Sequence, residues 1–180
     1  MHWAAFMCMS IRVAGLVLAA SLLAIPVTAQ QFPHLEEESL AGQKVMLPES
    51  VSGKVAVLVL GFSRASSKPT GAWAKRAQEE FGKNPGFTLY QLAVIEEAPS
   101  FIRGMVISGM KKGMSDAQRA YVVPVVHRES ELKKLVSYKQ PDDAYLVVLD
   151  RIGKVVYQTH SGTLEPGYGE LRAKLQALLH

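Results

Sequence analysis

Two hydroxyl side chains, Ser67 and Thr70, stand three residues apart in the stretch SKPT, shortly after a strongly apolar run. A serine hydroxyl becomes a nucleophile when a neighbouring base takes its proton. No histidine or acid stands at a spacing that indicates such a base, so the residues favour a helix-capping role for Ser67. A hydroxyl nucleophile is the alternative.

Thiol chemistry is limited to one residue, Cys8, within the first 29 positions. This segment resembles an export signal, because Arg12 ends a weakly basic start, residues 13–27 are apolar, and small residues precede Gln30. The apolar run is shorter than the ~20 residues that a spanning helix needs. We therefore expect a cleaved signal peptide at 1–29 and one exported, periplasmic or otherwise extracytoplasmic domain at 30–180. An uncleaved segment that anchors the domain is the alternative.

The predicted mature domain contains no cysteine, which excludes disulfides, thiolate nucleophiles and cysteine-ligated metals. The chain has 20 Lys and Arg against 16 Asp and Glu, and these charges are interspersed. This pattern argues against a nucleic-acid-binding protein, which would show a basic stripe. The histidines have no spacing typical of a metal site. We expect no metal, no cofactor and no nucleic-acid partner.

Apolar patterns predict alternating strands and helices. The predicted strands are KVMLP, VAVLVLGF, FTLYQLAVIEE, YVVPVVH and a hairpin whose two strands meet at DRIG. Helices are predicted at 67–83, 99–112, ESELKKLVSY and a C-terminal stretch containing Tyr168, Leu171, Leu175 and Leu178. MSDAQRA is predicted as a polar turn, and Pro124 favours a sheet position that needs no backbone donor. The order predicts an α/β sandwich with a mixed sheet.

Three sequence blocks, taken in their order along the chain, resemble a known superfamily: ESLAGQKVMLPESVSGKVAVLVLGFS, VVPVVHRESELKKLVSY and AYLVVLDRIGKVVYQTHSG. They resemble the thioredoxin-like superfamily, in its peroxiredoxin and thiol-disulfide exchange branch. The resemblance implies a three-layer sandwich with a mixed central sheet and a Cys-x-x-Cys pair where this chain has SKPT. Ser67 and Thr70 then occupy the cysteine positions, and the family's cis-proline position falls near Ala144, three residues after Pro141. The resemblance thus implies that the redox chemistry has been lost.

The stretches APSFIRGMVISGMKKGM, YVVPVVH and AYLVVLDRIGKVVYQT are also similar to one cysteine-free branch of that superfamily. This is the ATP-ten family of mitochondrial ATP synthase assembly factors. The resemblance implies a helical insert after the second core strand. It also implies a role in holding a membrane subunit while a complex is assembled.

The insert helix is the candidate binding site, because one half of its helical wheel is apolar and the other half carries basic residues. The candidate partner-binding residues are Phe101, Ile102, Arg103, Met105, Met110, Lys111 and Lys112. Methionine side chains adapt to varied apolar partners, whereas glycine in a helix interior costs about 1 kcal/mol relative to alanine. One interpretation is that the apolar face packs on the sheet, with Lys111 and Lys112 complementing the helix dipole. The other is that part of it is exposed and binds an apolar or membrane-embedded client, with the basic residues contacting headgroups or carboxylates.

The sequence therefore predicts an exported, non-catalytic binding or assembly module for a protein client, such as a membrane subunit. The alternative is a thiol-disulfide oxidoreductase or peroxiredoxin-class enzyme that borrows a thiol from a partner or uses Ser67 or Thr70. A third interpretation is a peripheral membrane protein held by the insert helix or by an uncleaved signal.

Overall fold

The computed structural model describes residues 30–180, and the predicted signal segment 1–29 lies outside the described residues. The strands are β1 (Leu35–Glu38), β2 (Lys44–Leu47), β3 (Val55–Gly61), β4 (Phe87–Val94), β5 (Val122–Val125), β6 (Ala144–Leu149) and β7 (Val155–Ser161). The helices are α1 (Ser67–Phe81), α2 (Ser100–Lys111), α3 (Asp116–Arg119), α4 (Glu129–Leu135) and α5 (Tyr168–Leu179). A short 3-10 turn lies at Glu49–Val51.

The central sheet is mixed, as the sequence predicts, with the strand order β5-β4-β3-β6-β7. Strands β3, β4 and β5 are parallel, whereas β6 runs antiparallel to β3 and β7 antiparallel to β6. Strands β1 and β2 form a separate antiparallel hairpin. Pro124 lies on the edge strand β5, where a missing backbone donor can be tolerated.

Strand β3 is buried along its whole length because both of its faces are covered. Ala56, Leu58 and Leu60 face a core that includes residues of α4 and the β1–β2 hairpin. Val55, Val57 and Val59 face a second core that includes residues of α1 and α5. These two cores make the molecule three layers, which explains the continuously apolar run and confirms the predicted three-layer fold class.

Some local details differ from the sequence expectations. Helix α1 ends at Phe81 rather than Lys83. The stretch MSDAQRA contains the short helix α3, whose capping box joins Ser115 and Gln118 and supplies partners for the first backbone donors. Within residues 30–180, no helix is long and apolar enough to cross a membrane.

Candidate functional site

The SKPT stretch lies where β3 leads into α1, and Ser67 is the first residue of that helix. The N-cap position belongs to Ser66, whose side chain makes no cap hydrogen bond. The exposed Ser67 hydroxyl instead donates to the Arg64 carbonyl at 2.7 Å. The prediction that Ser67 caps the helix is therefore wrong, because the chain turns into the helix one residue earlier.

Ser66 and Ser63 form a reciprocal pair that shapes the approach to α1. The Ser66 amide donates to the Ser63 hydroxyl at 3.0 Å, and the Ser63 amide donates to the Ser66 hydroxyl at 3.2 Å. The Ser66 hydroxyl also donates to the Ser63 carbonyl at 2.7 Å. Gly61 lies directly beneath this turn, since a Cβ there would stand 2.6 Å from the Ser66 hydroxyl oxygen. The close approach explains the glycine at the end of β3.

Thr70 is buried, at 2 % exposure, and its hydroxyl has partners in both of its roles. It donates to the Ser67 carbonyl at 3.2 Å and accepts from the Gln91 side-chain amide at 2.9 Å. A buried hydroxyl with a donor and an acceptor is stably placed. This arrangement links α1 to β4 and assigns Thr70 a structural role.

A hydroxyl and a carboxylate meet at one point near this turn, where Ser63 donates to Asp142 at 2.7 Å. The Ser67 hydroxyl donates to a carbonyl, which does not accept a proton in chemistry of this kind. Nucleophilic activation needs a base that is itself oriented by a further group. The turn is therefore arranged as a hydrogen-bonded scaffold, and its geometry does not favour the hydroxyl-nucleophile alternative.

The position near Ala144, at which the resemblance places a cis-proline, is the first residue of β6 and pairs with Ser161. In residues 30–180 the cis bonds precede Pro48 and Pro166, so the bond before Ala144 is trans. The loop before Ala144 is held by the Tyr145 hydroxyl, which accepts from two backbone amides, each at 2.8 Å. The neighbouring pair of His160 and Asp143, 2.8 Å apart, also holds this loop, and the His160 ring stacks on Tyr145.

Helix α2, the predicted insert helix, contains no buried residue. Phe101 is 85 % exposed and Met105, one turn later, is 76 % exposed. The residues that share this side of the helix form what we call the outer face of α2: Phe101, Gly104, Met105, Ser108 and Gly109. Nothing lies within 4 Å of the positions that a Cβ would occupy on Gly104 or Gly109. The outer face therefore has no covering element within residues 30–180.

The opposite side of α2 is half-buried and carries Ile102, Arg103, Val106, Ile107 and Met110. The candidate apolar residues of α2 therefore do not all lie on one face of the helix. Ile102 and Met110 lie toward the domain, whereas Phe101 and Met105 lie toward solvent. The domain supplies enough surface to half-cover one stripe of the helix and leaves the rest exposed.

Arginines hold both ends of α2. Arg103 donates to the carbonyls of Glu96 and Ala98, at 2.6 and 2.8 Å, and so ties the first turn to the loop after β4. Arg119 donates to the Lys111 carbonyl at 3.0 Å at the other end. The guanidinium of Arg103, a candidate partner-binding residue, is thus bonded to the chain's own backbone. Lys111 and Lys112 are exposed at the helix end.

The loop that leads into α2 is joined to α4 by a cluster of charged groups. Glu96 accepts from the Glu129 amide, and Glu129, 5 % exposed, accepts from the Glu97 amide at 3.2 Å. Lys133 donates to Glu129 and Glu97, each at 2.7 Å. The hydrogen bond to Glu129, together with that to Glu97, raises the pKa of Lys133 above its ordinary value, and the bond from Lys133 lowers the pKa of Glu97. Charge-assisted hydrogen bonds thus fix the loop before α2 to α4.

Solved structures share this fold, although no family model and no curated protein matches the sequence. A Chlorobium tepidum protein named for the thiol:disulfide interchange protein DsbE matches with a TM-score of 0.59 at 17% identity, covering 84% of this chain and 97% of that one. BsSco, of the Sco family of cytochrome c oxidase assembly proteins, matches with a TM-score of 0.56 at 13% identity, covering 84% and 95%. The exposed lipoprotein thioredoxin Etrx1 of Streptococcus pneumoniae matches with a TM-score of 0.56 at 15% identity, covering 81% and 100%.

The fold is thioredoxin-like. This confirms the fold predicted from the sequence. The identities are too low to transfer an activity, and the similarity to ATP-ten stays a prediction. The sequence itself still sets one limit on thioredoxin-like chemistry here, since residues 30–180 contain no cysteine.

Local sequence patterns did not reveal the contacts that join distant parts of the chain. Three histidines pair with carboxylates: His34 with Glu49, His127 with Glu37, and His160 with Asp143. Within the described range, no three potential metal ligands come together. The Ser63 and Ser66 pair was the most accessible of the missed features, because two serines three residues apart before a helix are typical of a side-chain turn.

Proposed function

We propose that this chain is an exported, non-catalytic binding module with a thioredoxin-like fold, which holds a protein client on the outer face of α2. One observation carries the proposal: a 12-residue helix buries none of its residues, while Phe101 and Met105 project large apolar side chains into solvent. Exposed apolar groups that lie together are typical of interaction surfaces. Folding of the described domain does not use this surface.

The outer face indicates the kind of client. Two large apolar side chains alternate with Gly104, Ser108 and Gly109, so a partner backbone can approach the helix closely between them. Gly104 and Gly109 have open space around them and ordinary negative φ angles, so the domain's own packing does not require glycine there. Small residues permit close packing between helices, most clearly in membrane proteins. We therefore assign to this face an apolar helix of a membrane subunit. Acidic residues of that subunit would lie near Lys111 and Lys112.

The SKPT turn supports a role without catalysis. Its Ser67 and Thr70 hydroxyls are bonded within the chain, and residues 30–180 supply no thiol. BsSco, one of the structural neighbours, belongs to a family of assembly proteins, so this fold occurs in assembly work. The sequence similarity to ATP-ten supports the same kind of role. The export signal predicted at 1–29 and the similarity in fold to the exposed lipoprotein Etrx1 support an extracytoplasmic location.

The alternative is a thiol-disulfide oxidoreductase or peroxiredoxin-class enzyme that borrows a thiol, and the names of several structural neighbours favour it. Insulin reduction and peroxide turnover by the purified protein separate the two. We expect rates equal to those of a Ser67→Ala, Thr70→Ala variant. Turnover clearly above that variant would establish the enzyme and contradict the non-catalytic proposal.

The binding proposal is tested by photo-crosslinking in the native host. A photoreactive amino acid replaces Phe101, Met105 or, as a control on α1, the exposed Lys75. We expect one discrete protein adduct from positions 101 and 105, identified by mass spectrometry as an envelope membrane subunit, and no such adduct from position 75.

A second substitution makes this experiment more specific. Gly104→Leu keeps the face apolar but fills the space for close backbone approach, so it should abolish the adduct formed from position 105. Thermal unfolding checks that the variant is folded. Adducts that are identical at positions 75 and 101, or an adduct that Gly104→Leu and a Phe101→Asp variant both leave unchanged at position 105, would rule out the outer face as the client site.

A further inference from the structure

The turn between β6 and β7 presents an exposed apolar side chain on a rigid support. The Asp150 carboxylate accepts from the amides of Ile152 and Lys154, at 3.0 and 2.9 Å. The Asp150 amide donates to the Lys154 carbonyl at 2.9 Å. Gly153 has a φ of 80° and a Cβ there would stand 2.9 Å from Pro48, so only glycine fits. Ile152 is 81 % exposed because this turn holds it in solvent.

Basic side chains lie at the same end of the sheet as Ile152. The exposed cations are Lys54, Lys83, Arg151 and Lys154. The Gly53 amide donates to the Arg151 carbonyl, and Gly86 accepts from the Val55 amide, which brings the flanking turns together here. None of the four cations takes part in the ion pairs found within residues 30–180. The nearby carboxylate of Asp150 is engaged in the turn, and Glu49 is paired with His34.

The described chain also begins at this end. Gln31 forms an antiparallel bridge with Lys154, and the Gln30 carbonyl accepts from the Val155 amide at 3.1 Å. Only two residues separate Gln30 from the apolar run at 13–27 that the sequence assigns to the export signal. If the segment at 1–29 is retained, which is the alternative to cleavage, a bilayer that holds this run stands next to the β6–β7 turn.

We propose that this end of the domain docks on an anionic phospholipid bilayer, with Ile152 entering the headgroup region and the four cations above the lipid phosphates. Apolar insertion and attraction to anionic lipids act together in interfacial binding. Each contribution is small, and an apolar run retained next to Gln30 would add to them by keeping the bilayer close. This inference goes beyond the client-binding role and does not require it.

The orientation has a consequence for α2. Leu149 at the end of β6 lies opposite Ala56 at the start of β3, whereas α2 begins after the far end of β4, which is parallel to β3. The β6–β7 hairpin and the β4–β5 crossover also lie at opposite edges of the sheet. Docking through Ile152 therefore keeps the outer face of α2 away from the lipid and available to a client segment that lies outside the bilayer.

The test uses the full chain with Cys8→Ser, so that one introduced cysteine carries an environment-sensitive fluorophore. The label is placed at Ile152→Cys or, as the matched control on α2, at Phe101→Cys. Each protein is added to vesicles of phosphatidylglycerol and phosphatidylcholine that contain a lipid-borne quencher. We expect a blue shift and quenching at position 152, reversed by high salt, and emission at position 101 that equals its value in buffer.

Charge reversal completes the test. In the Ile152→Cys background, Arg151→Glu with Lys154→Glu should return the emission to its value in buffer, and Lys54→Glu with Lys83→Glu should reduce the shift. The second pair keeps the test decisive if the first disturbs the turn. Stronger quenching at position 101 than at 152, equal quenching at 152 with pure phosphatidylcholine vesicles, or full quenching in both charge-reversed variants would overturn the proposal.

Discussion

Helices α1 and α2 have similar amphipathic sequences but different positions in the molecule. Helix α1 crosses the sheet and buries Thr70, Trp73, Ala74, Ala77 and Phe81. Helix α2 buries none of its 12 residues and is tied down by Arg103 and Arg119 at its two ends. The first helix is held by the core, whereas the second is held by polar contacts and keeps an apolar face uncovered.

This difference separates surface used for folding from surface available for binding. The apolar side chains of α1 stabilise the folded domain, since they leave water when it folds. The outer face of α2 contributes almost no such stabilisation, because Phe101 and Met105 stay hydrated. These side chains can still leave water when a partner binds, which is why the proposed client is assigned to α2 rather than to the SKPT turn.

The largest expected difference between the two helices appears when one aromatic side chain is removed from each. Trp73 is 0 % exposed, so Trp73→Ala should lower the free energy of unfolding by about 3–5 kcal/mol through lost burial and a cavity. Phe101→Ala should change it by less than about 0.5 kcal/mol. Urea denaturation of the two purified variants measures both values. A loss of several kcal/mol for Phe101→Ala would show that α2 is packed as α1 is.

A smaller effect separates the two hydroxyls of the SKPT turn. Thr70→Val leaves the Gln91 amide without its acceptor in a partly buried position and should cost about 1–2 kcal/mol. Ser67→Ala removes an exposed hydroxyl and should cost less than about 0.5 kcal/mol. Denaturation midpoints measure both changes. Equal costs would contradict the structural role assigned to Thr70.

The smallest effect has the opposite sign. Gly104→Ala and Gly109→Ala should each raise stability by about 1 kcal/mol, because alanine suits a helix interior and open space surrounds both positions. Gly61→Ala is the control and should destabilise the protein, since its Cβ would meet the Ser66 hydroxyl at 2.6 Å. Thermal unfolding gives all three. Destabilisation by Gly104→Ala would mean that the domain itself requires a close approach at α2.

Most of the fold was predictable from local patterns. The run VAVLVLGF predicted a central strand, and the prediction is confirmed because both faces of β3 are covered. The break at DRIG predicted the β6–β7 hairpin. The predicted cap at Ser67 was one residue too late, because one hydrogen bond decides where a helix begins, and the predicted turn MSDAQRA contains a short helix. The candidate site was predictable as a helix but not as a surface.

The sequence alone determined most of the elements, the mixed sheet and the absence of a thiol after residue 30, because periodicity and composition are local properties of the chain. Only the tertiary structure decided which stripe of α2 the domain covers and that Arg103 serves the backbone of the preceding loop. It also decided that Ile152, the unpaired cations and Gln30 share one end of the sheet. These facts depend on contacts between distant segments, and a helical or strand period specifies which residues share a face without specifying what covers it.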